Sequence, residues 1–429
     1  MKAKKITKKR SATKSKSLSA NRRIYLDFAS STPISPKVKK AVTDTMDVFY
    51  NPASLYEYGK VAKNILEYSR EKVSKLLNAR KNEIIFTSSG TESNNLAIFG
   101  IAKKVKDNLQ VGEKKPHILV SAIEHSSVLE PARSLIKEGF DVEEIYPDQN
   151  GIISSKDIRK KIRKETVLVS IMFVNNEIGV IEPIREIAKE IRHARKTFQS
   201  EFPYFHSDAS QAPCFIDVDV VTLGVDLLTL DSSKLYGPKA GILFKKSTLE
   251  IPAQILGGGQ EKGIRSGTEN LPAIVGFATA LEESIEIKNK ESARLEKLRD
   301  YFEDKIITQI KGAEINAKNA KRISGISSIT INGLDSEFAV FQLDVAGIMC
   351  ASASACLALK SENNEQGSYV IDAINKETGN TEKKNYTLRF SFGRSTKKSD
   401  IDFCLKAISG ILSKQEISHN LKVKSHNYK

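Results

Sequence analysis

The run Leu227-Leu228-Thr229-Leu230-Asp231-Ser232-Ser233-Lys234 sets one lysine just beyond a short, mostly apolar segment, before Leu235-Tyr236-Gly237-Pro238 turn the chain. Such a segment suits a strand buried on both faces. A lysine in a turn is ordinarily solvated. At the end of a buried strand it loses water on one side, its pKa falls and its amine becomes nucleophilic. The chemistry that most needs such an amine is a Schiff base with a carbonyl, including the aldehyde of pyridoxal phosphate.

Other stretches carry matching chemistry. Ser88-Ser89-Gly90-Thr91-Glu92 lies between a strand-like and a helix-like run. Its small residues, the free N–H groups of a helix N-terminus and the Thr91 hydroxyl make a phosphate cradle, or else an ordinary N-cap. Asp208 ends the run Phe205-His206-Ser207. An acid at the carboxyl end of a strand in an open α/β sheet faces the ligand crevice, where it can keep a pyridine nitrogen protonated. His125, just past another strand, can stack on a flat ring or shuttle a proton. Cys356 follows the small residues Ala351 to Ala355 and precedes a polar loop. An exposed loop thiol of that kind is reactive, whereas Cys214, Cys350 and Cys404 sit in apolar settings and read as core.

Alternating strands and helices must position these groups. From Glu83 onward the pattern is βαβ-like: strands at 83–87, 117–121, 140–146, 167–174, 204–207 and 225–230, with an antiparallel return at 241–245. Helices fall between them, and earlier ones start at Ser35-Pro36, where Pro sits at the first helical position, and near Gly59. Val38, Val42, Met46 and Phe49 mark one face of the first helix. A long helical pattern, 271–310, leads to strands at 327–331 and 386–392 and helices at 336–343 and 399–412, with polar loops at 360–367 and 375–384. The expected architecture is α/β: a large domain, 24–270, on a mostly parallel sheet of the seven-stranded type, and a smaller C-terminal α+β domain, 271–413. Basic tails, 1–23 and 414–429, flank them.

The formal net charge of +15 is concentrated in those tails, because residues 1–23 hold ten Lys/Arg and no acid. The body is close to neutral, which argues against a basic-surfaced nucleic-acid binder or scaffold unless the tails alone serve that role. The N-terminal tail lacks the apolar core of a secretory signal. Its Lys, Ser and Thr fit either a disordered tail or an organellar import segment. Few cysteines and no membrane-length apolar run fit a cytoplasmic protein in a reducing compartment. The cysteines show no metal-ligand spacing.

Taken in order, Tyr25-Leu26-Asp27 with Thr32-Pro33, Asn51-Pro52-Ala53-Ser54, Thr87 to Asn95, Glu124-His125, Val174 to Gly179, Ser207 to Gln211, Lys234 to Lys239, Arg265-Ser266-Gly267-Thr268, Ser354-Ala355-Cys356 and Arg389 to Arg394 form one series. The chain resembles the class V branch of the fold-type I pyridoxal-phosphate transferases, and within it the cysteine desulfurases of iron–sulfur assembly, from Ile24 to about Ser413. The resemblance implies that Lys234 carries pyridoxal 5'-phosphate as a Schiff base, that Asp208 faces its ring nitrogen and that His125 stacks on the ring. It implies Gln211 on the ring hydroxyl, Asn176 near ring and substrate, and Gly90, Thr91 and Ser233 at the phosphate. Thr268 would reach the phosphate from the second subunit of a homodimer. Arg389 would pair with the carboxylate of L-cysteine. Cys356 would take the sulfur as a persulfide, leaving L-alanine, and its loop would hand the sulfur to an iron–sulfur scaffold or a tRNA-thiolation partner. Nearby alternatives within the resemblance are a selenocysteine lyase or a class V aminotransferase.

The chain departs from the family pattern in two places. The usual Ser-x-His-Lys is here Asp231-Ser232-Ser233-Lys234, so a carboxylate stands where a phosphate ligand is expected. Two anions so close repel, so Asp231 is expected to turn away or meet a base, with weaker cofactor retention as the consequence. Tyr56 replaces the histidine usual in Asn-Pro-x-Ser-x-His.

Overall fold

Neighbouring residues of the central strands divide between two cores. Leu228, Leu119, Val169 and Ile242 lie in one cluster, and Leu227, Ile118, Leu168 and Leu243 lie in the other. This is the consequence of a period of two in strands apolar at successive positions: both faces of the sheet must be covered.

The computed structural model describes residues 23–108, 114–331, 334–352, 367–378 and 387–426. In chain order the first part comprises β1 (Ile24–Tyr25), α1 (Pro36–Met46), α2 (Glu57–Leu76), β2 (Ile84–Thr87), α3 (Gly90–Lys106), β3 (His117–Ser121), α4 (Ser126–Ser134), β4 (Asp141–Ile145), α5 (Ser155–Lys161), β5 (Thr166–Ser170), α6 (Ile184–Phe198), β6 (Tyr204–Asp208), α7 (Val220–Leu223), β7 (Leu227–Asp231) and β8 (Gly241–Lys245). Seven strands make one sheet in the order β2-β8-β7-β6-β5-β3-β4. β8 runs antiparallel to both its neighbours, while β3 to β7 pair in parallel. The large, mostly parallel sheet and its antiparallel return are as the sequence suggests.

The second part comprises α8 (Leu271–Gln309), β9 (Ala313–Ile315), β10 (Ile326–Ile331), α9 (Ser336–Val345), β11 (Ile348–Met349), β12 (Ala351–Ser352), α10 (Tyr369–Thr378), β13 (Thr387–Ser391) and α11 (Lys398–His426). Four of its strands form an antiparallel sheet, β12-β13-β10-β9. The first turns of α8 pack in the core of the large sheet through Leu271, Phe277 and Leu281. Its later turns pack in a third cluster through Leu295, Phe302 and Ile306, with Phe390 and Phe392. At 1.5 Å per residue, about 58 Å of helix spans both cores. Ile24 and Leu26, near the start of the described residues, belong to this third cluster as well, and β1 pairs in parallel with β11.

Local signals held where they were chemical. Ser35 caps α1 by accepting from the Val38 N–H, with proline in the first turn. Three local expectations need correcting. Phe49 does not share the face of Val38, since α1 ends at Met46 and the helical phase ends with it; Met46 and Phe49 are 63% and 80% exposed. No loop starts at Asn375, where one is expected, because α10 continues to Thr378 with Val370 and Ile374 buried. The last helix runs to His426, past the start of the basic tail at 414. Among the described residues, no helix is long and apolar enough to cross a membrane.

Candidate active site

Strands end where their apolar runs end, and in a parallel sheet those ends share one rim. β6 delivers Asp208 to that rim, β7 delivers Lys234 on the short turn after Asp231, and β3 leads to His125 at the N-terminus of α4. Gly90 opens α3 after β2. Together with Thr91, Asn176, Gln211 and Arg389, these residues line one cleft of about 250 Å³. Ligands bind at this place, outside the carboxyl ends of the strands, in open α/β sheets.

The Lys234 amine donates to the Ser30 carbonyl. Burial lowers its pKa and Arg389 lowers it further, against the pull of Asp231, Asp208 and Asp27. The amine is therefore more readily neutral than an exposed lysine, as a nucleophile requires. Asp208 accepts from the Asn94 side-chain amide through Oδ2 at 2.8 Å and from the Ser210 N–H through Oδ1 at 2.9 Å. Asn94 also donates to Ser127 Oγ at 2.8 Å, which lies 2.8 Å from His125 Nδ1. The Ser127 N–H donates to the same Nδ1 at 3.1 Å, so the neutral imidazole carries its proton on Nε2. Burial pushes the His125 pKa down, which favours that neutral ring. Asn94 and Ser127, absent from the sequence-based set, thus tie Asp208 to His125. Asn94 stands among the polar residues Thr91 to Asn95 at the start of α3, so nothing local in the sequence set it apart.

Arg389 projects from β13. It donates to the Asn176 carbonyl at 2.9 Å, Asp27 Oδ1 at 2.8 Å and Ser30 Oγ at 2.7 Å, while its buried Nε has no partner among the described residues. Part of its fork is thus already occupied by a carboxylate of the chain. Gln211 donates to the Ala29 carbonyl at 2.8 Å. Asn176 Oδ1 is buried at the cleft without a partner among the described residues.

A pyridoxal phosphate ring fits this set. A low-pKa lysine, an anchored carboxylate, a neutral imidazole and an unsatisfied amide oxygen all face one space. At the phosphate end the fit is different. Asp231 does not turn away from the cradle, nor is it held by a base. Its Oδ1 accepts the Ser233 N–H at 2.8 Å and its Oδ2 accepts the Gly90 N–H at 3.3 Å. The two N–H donors satisfy the carboxylate in place, which removes the reason to swing out. Ser233 is outside the cleft lining, its carbonyl taken by the Thr32 N–H and hydroxyl. Thr268 is exposed and also outside this chain's cleft.

Cys356 lies outside the described residues. The described free cysteines are Cys214, Cys350 and Cys404. Burial raises the pKa of each, that of Cys350 to about 12, so all three stay protonated and inert.

Residues 24–403 match the family model described as aminotransferase class V. Cysteine desulfurase IscS 1 of Archaeoglobus fulgidus is 38% identical, over 91% of this chain and 97% of its own length. A solved NifS-like protein superposes with a TM-score of 0.80 at 29% identity, covering 91% of this chain and 100% of its own. A solved structure described as SspA in complex with cysteine gives a TM-score of 0.71 at 30% identity, covering 86% and 98%.

Proposed function

The chain belongs to the class V aminotransferase family, a family of pyridoxal-phosphate enzymes, and from that premise we propose that it is a cysteine desulfurase. It takes L-cysteine, releases L-alanine and retains the sulfur as a persulfide on Cys356. The observation that carries this reading is the convergence of Lys234, Asp208, His125 and Arg389 on one cleft, from four separate elements.

When bound, pyridoxal phosphate supplies an electron-poor ring that takes up charge from the substrate's α-carbon. The chain's own residues do the rest. Lys234 offers a neutral amine to the aldehyde and holds or passes the proton at the α-carbon. Asp208, its orientation set by Asn94 and Ser210, keeps the ring nitrogen protonated. His125, with its proton on Nε2, would cover the ring face. Gln211 and Asn176 would meet the ring's hydroxyl side, and Gly90, Thr91 and the partner copy's Thr268 position would hold the phosphate. Arg389 takes the substrate carboxylate, which requires Asp27 to share or yield part of the guanidinium. The Cys356 thiolate attacks the substrate sulfur; the C–S bond breaks with its electron pair left on the substrate carbon, which takes up a proton, and the sulfur stays on Cys356 as a persulfide.

A homodimer is supported by large apolar residues left exposed around α1 and α2, among them Phe49 and Leu55, the latter 89% exposed. The acceptor is an iron–sulfur scaffold protein, with a tRNA-thiolation partner steered by the basic tails as the second route, in a cytoplasmic setting.

The test is an absorbance spectrum of the purified full-length protein supplied with pyridoxal phosphate, followed by L-cysteine, with alanine and sulfide measured. Visible absorption and stoichiometric alanine support the reading. A protein that stays colourless and leaves cysteine intact ends it. Cys356→Ala assayed on selenocysteine separates a desulfurase from a selenium-specific lyase, which would keep its activity.

A further inference from the structure

We propose that Asp231 is a built-in competitor for the phosphate group of pyridoxal phosphate, so that this chain gains little affinity from that phosphate and exchanges its cofactor. The proposal rests on the reading of the cleft as a pyridoxal-phosphate site and adds what one end of that site does.

The geometry at the start of α3 points to it. A helix of 17 residues presents its free N–H groups and the positive end of its dipole to whatever anion lies at Gly90. That anion is already part of the chain. Asp231 Oδ2 takes the Gly90 N–H at 3.3 Å, and the Ser233 N–H, at 2.8 Å from Oδ1, holds the carboxylate in that orientation. The contact is close: a Cβ placed on Gly90 would lie 3.0 Å from Asp231 Cβ and 3.2 Å from Oδ2. At the Gly90 N–H itself the carboxylate stands where a phosphoryl oxygen would have to sit.

Charge around the cradle does not offset a second anion. Arg265, beside the first turn of α3, is paired with Glu92 at 2.7 Å, and Arg389 is paired with Asp27 at 2.8 Å. Lys234 supplies a positive field to Asp231, but its amine is the group committed to the aldehyde. A phosphate entering the cradle must displace Asp231 from the Gly90 N–H and then stay beside it. Like charges at that distance disfavour one another in a partly buried site.

The experiment isolates the phosphate contribution from the Schiff base. Full-length protein stripped of cofactor is titrated with pyridoxine 5'-phosphate and with pyridoxine, neither of which has an aldehyde to react with Lys234. The ratio of their affinities measures what the phosphate adds. In Asp231→Ser and Asp231→Asn this ratio is expected to exceed the wild-type ratio by between about tenfold and a hundredfold, the scale of one charge-assisted hydrogen bond. Inorganic phosphate at millimolar concentration is expected to raise the Tm of both variants and to leave the wild type unmoved. A general packing defect would alter both ligands alike and leave the ratio fixed. Equal ratios in wild type and variants overturn the proposal while leaving the functional reading in place. Failure of wild type and both variants to bind pyridoxal phosphate at all overturns the functional reading, and the proposal with it.

Discussion

The Asn94 amide donates to Asp208 across 114 residues of sequence, at 2.8 Å, and passes the connection on to His125 through Ser127. The carboxylate expected under the ring nitrogen and the imidazole expected on its face are therefore oriented by one buried network. Replacing Asn94 by Ala removes a hydrogen bond to a charged acceptor, a loss of about 1.5–3 kcal/mol of orientation. The expected outcome is a fall in kcat of about ten- to a hundredfold with the KM for L-cysteine changed much less, read by alanine release. An unchanged kcat would show that Asp208 is held well enough by the Ser210 N–H alone.

Arg389 makes a separate prediction. A lysine cannot supply the planar fork that meets Asp27, Ser30 and the Asn176 carbonyl together. Arg389→Lys is expected to raise the KM for L-cysteine by at least tenfold while the cofactor spectrum persists. Loss of the spectrum with an unaltered KM would place Arg389 on the cofactor and away from the substrate.

The cysteines divide by burial. Cys356→Ser is expected to stop alanine and sulfide release from L-cysteine. Cys214→Ser, at a thiol whose pKa burial raises, is expected to keep turnover within about threefold of wild type. The reverse result would move the sulfur chemistry to the half-buried Cys214.

Glu182 sets part of the pH dependence of stability. Burial pushes its carboxyl up to about 8; among the described residues the Ile153 N–H, at 2.8 Å, donates to Oε2 and nothing bonds Oε1. The unfolded chain ionises this group near its ordinary value of about 4.3. Between those two values the folded state holds the proton and the unfolded state does not, so stability falls as pH rises through the window. Above it, the cost is constant. Glu182→Gln removes the term. Its advantage over wild type in unfolding free energy, on the order of a few kcal/mol, is expected to grow from pH 4.5 to pH 8 and then level off, with the Tm difference following it. A Tm difference independent of pH would show that Glu182 is ionised in the folded protein.

Most of the sheet was readable because its strands are apolar at consecutive positions and bounded by turn residues, as in His117–Ser121 and Gly241–Lys245. The N-cap at Ser35 and the turn after Asp231 were readable for the same local reason. Short strands such as Ala313–Ile315 and Ala351–Ser352 were not, since two or three residues carry no period. The exposure of Met46 and Phe49 was not readable, because amphipathic phase identifies an apolar face without saying whether this chain or another copy covers it.

The candidate site shows the same division. Sequence alone determined which residue types were available and in what order: a lysine after a buried strand, an acid ending another, a histidine after a third, and a carboxylate in place of a family serine. Those are properties of short segments, where side-chain chemistry and backbone propensity act over a few residues. Tertiary structure alone decided that Asp231 rests against Gly90, 141 residues earlier, and that Arg389 is paired with Asp27, 362 residues away. A charge is held by whichever partner the packed backbone brings within about 3 Å, and that proximity exists only once both cores have closed around the sheet.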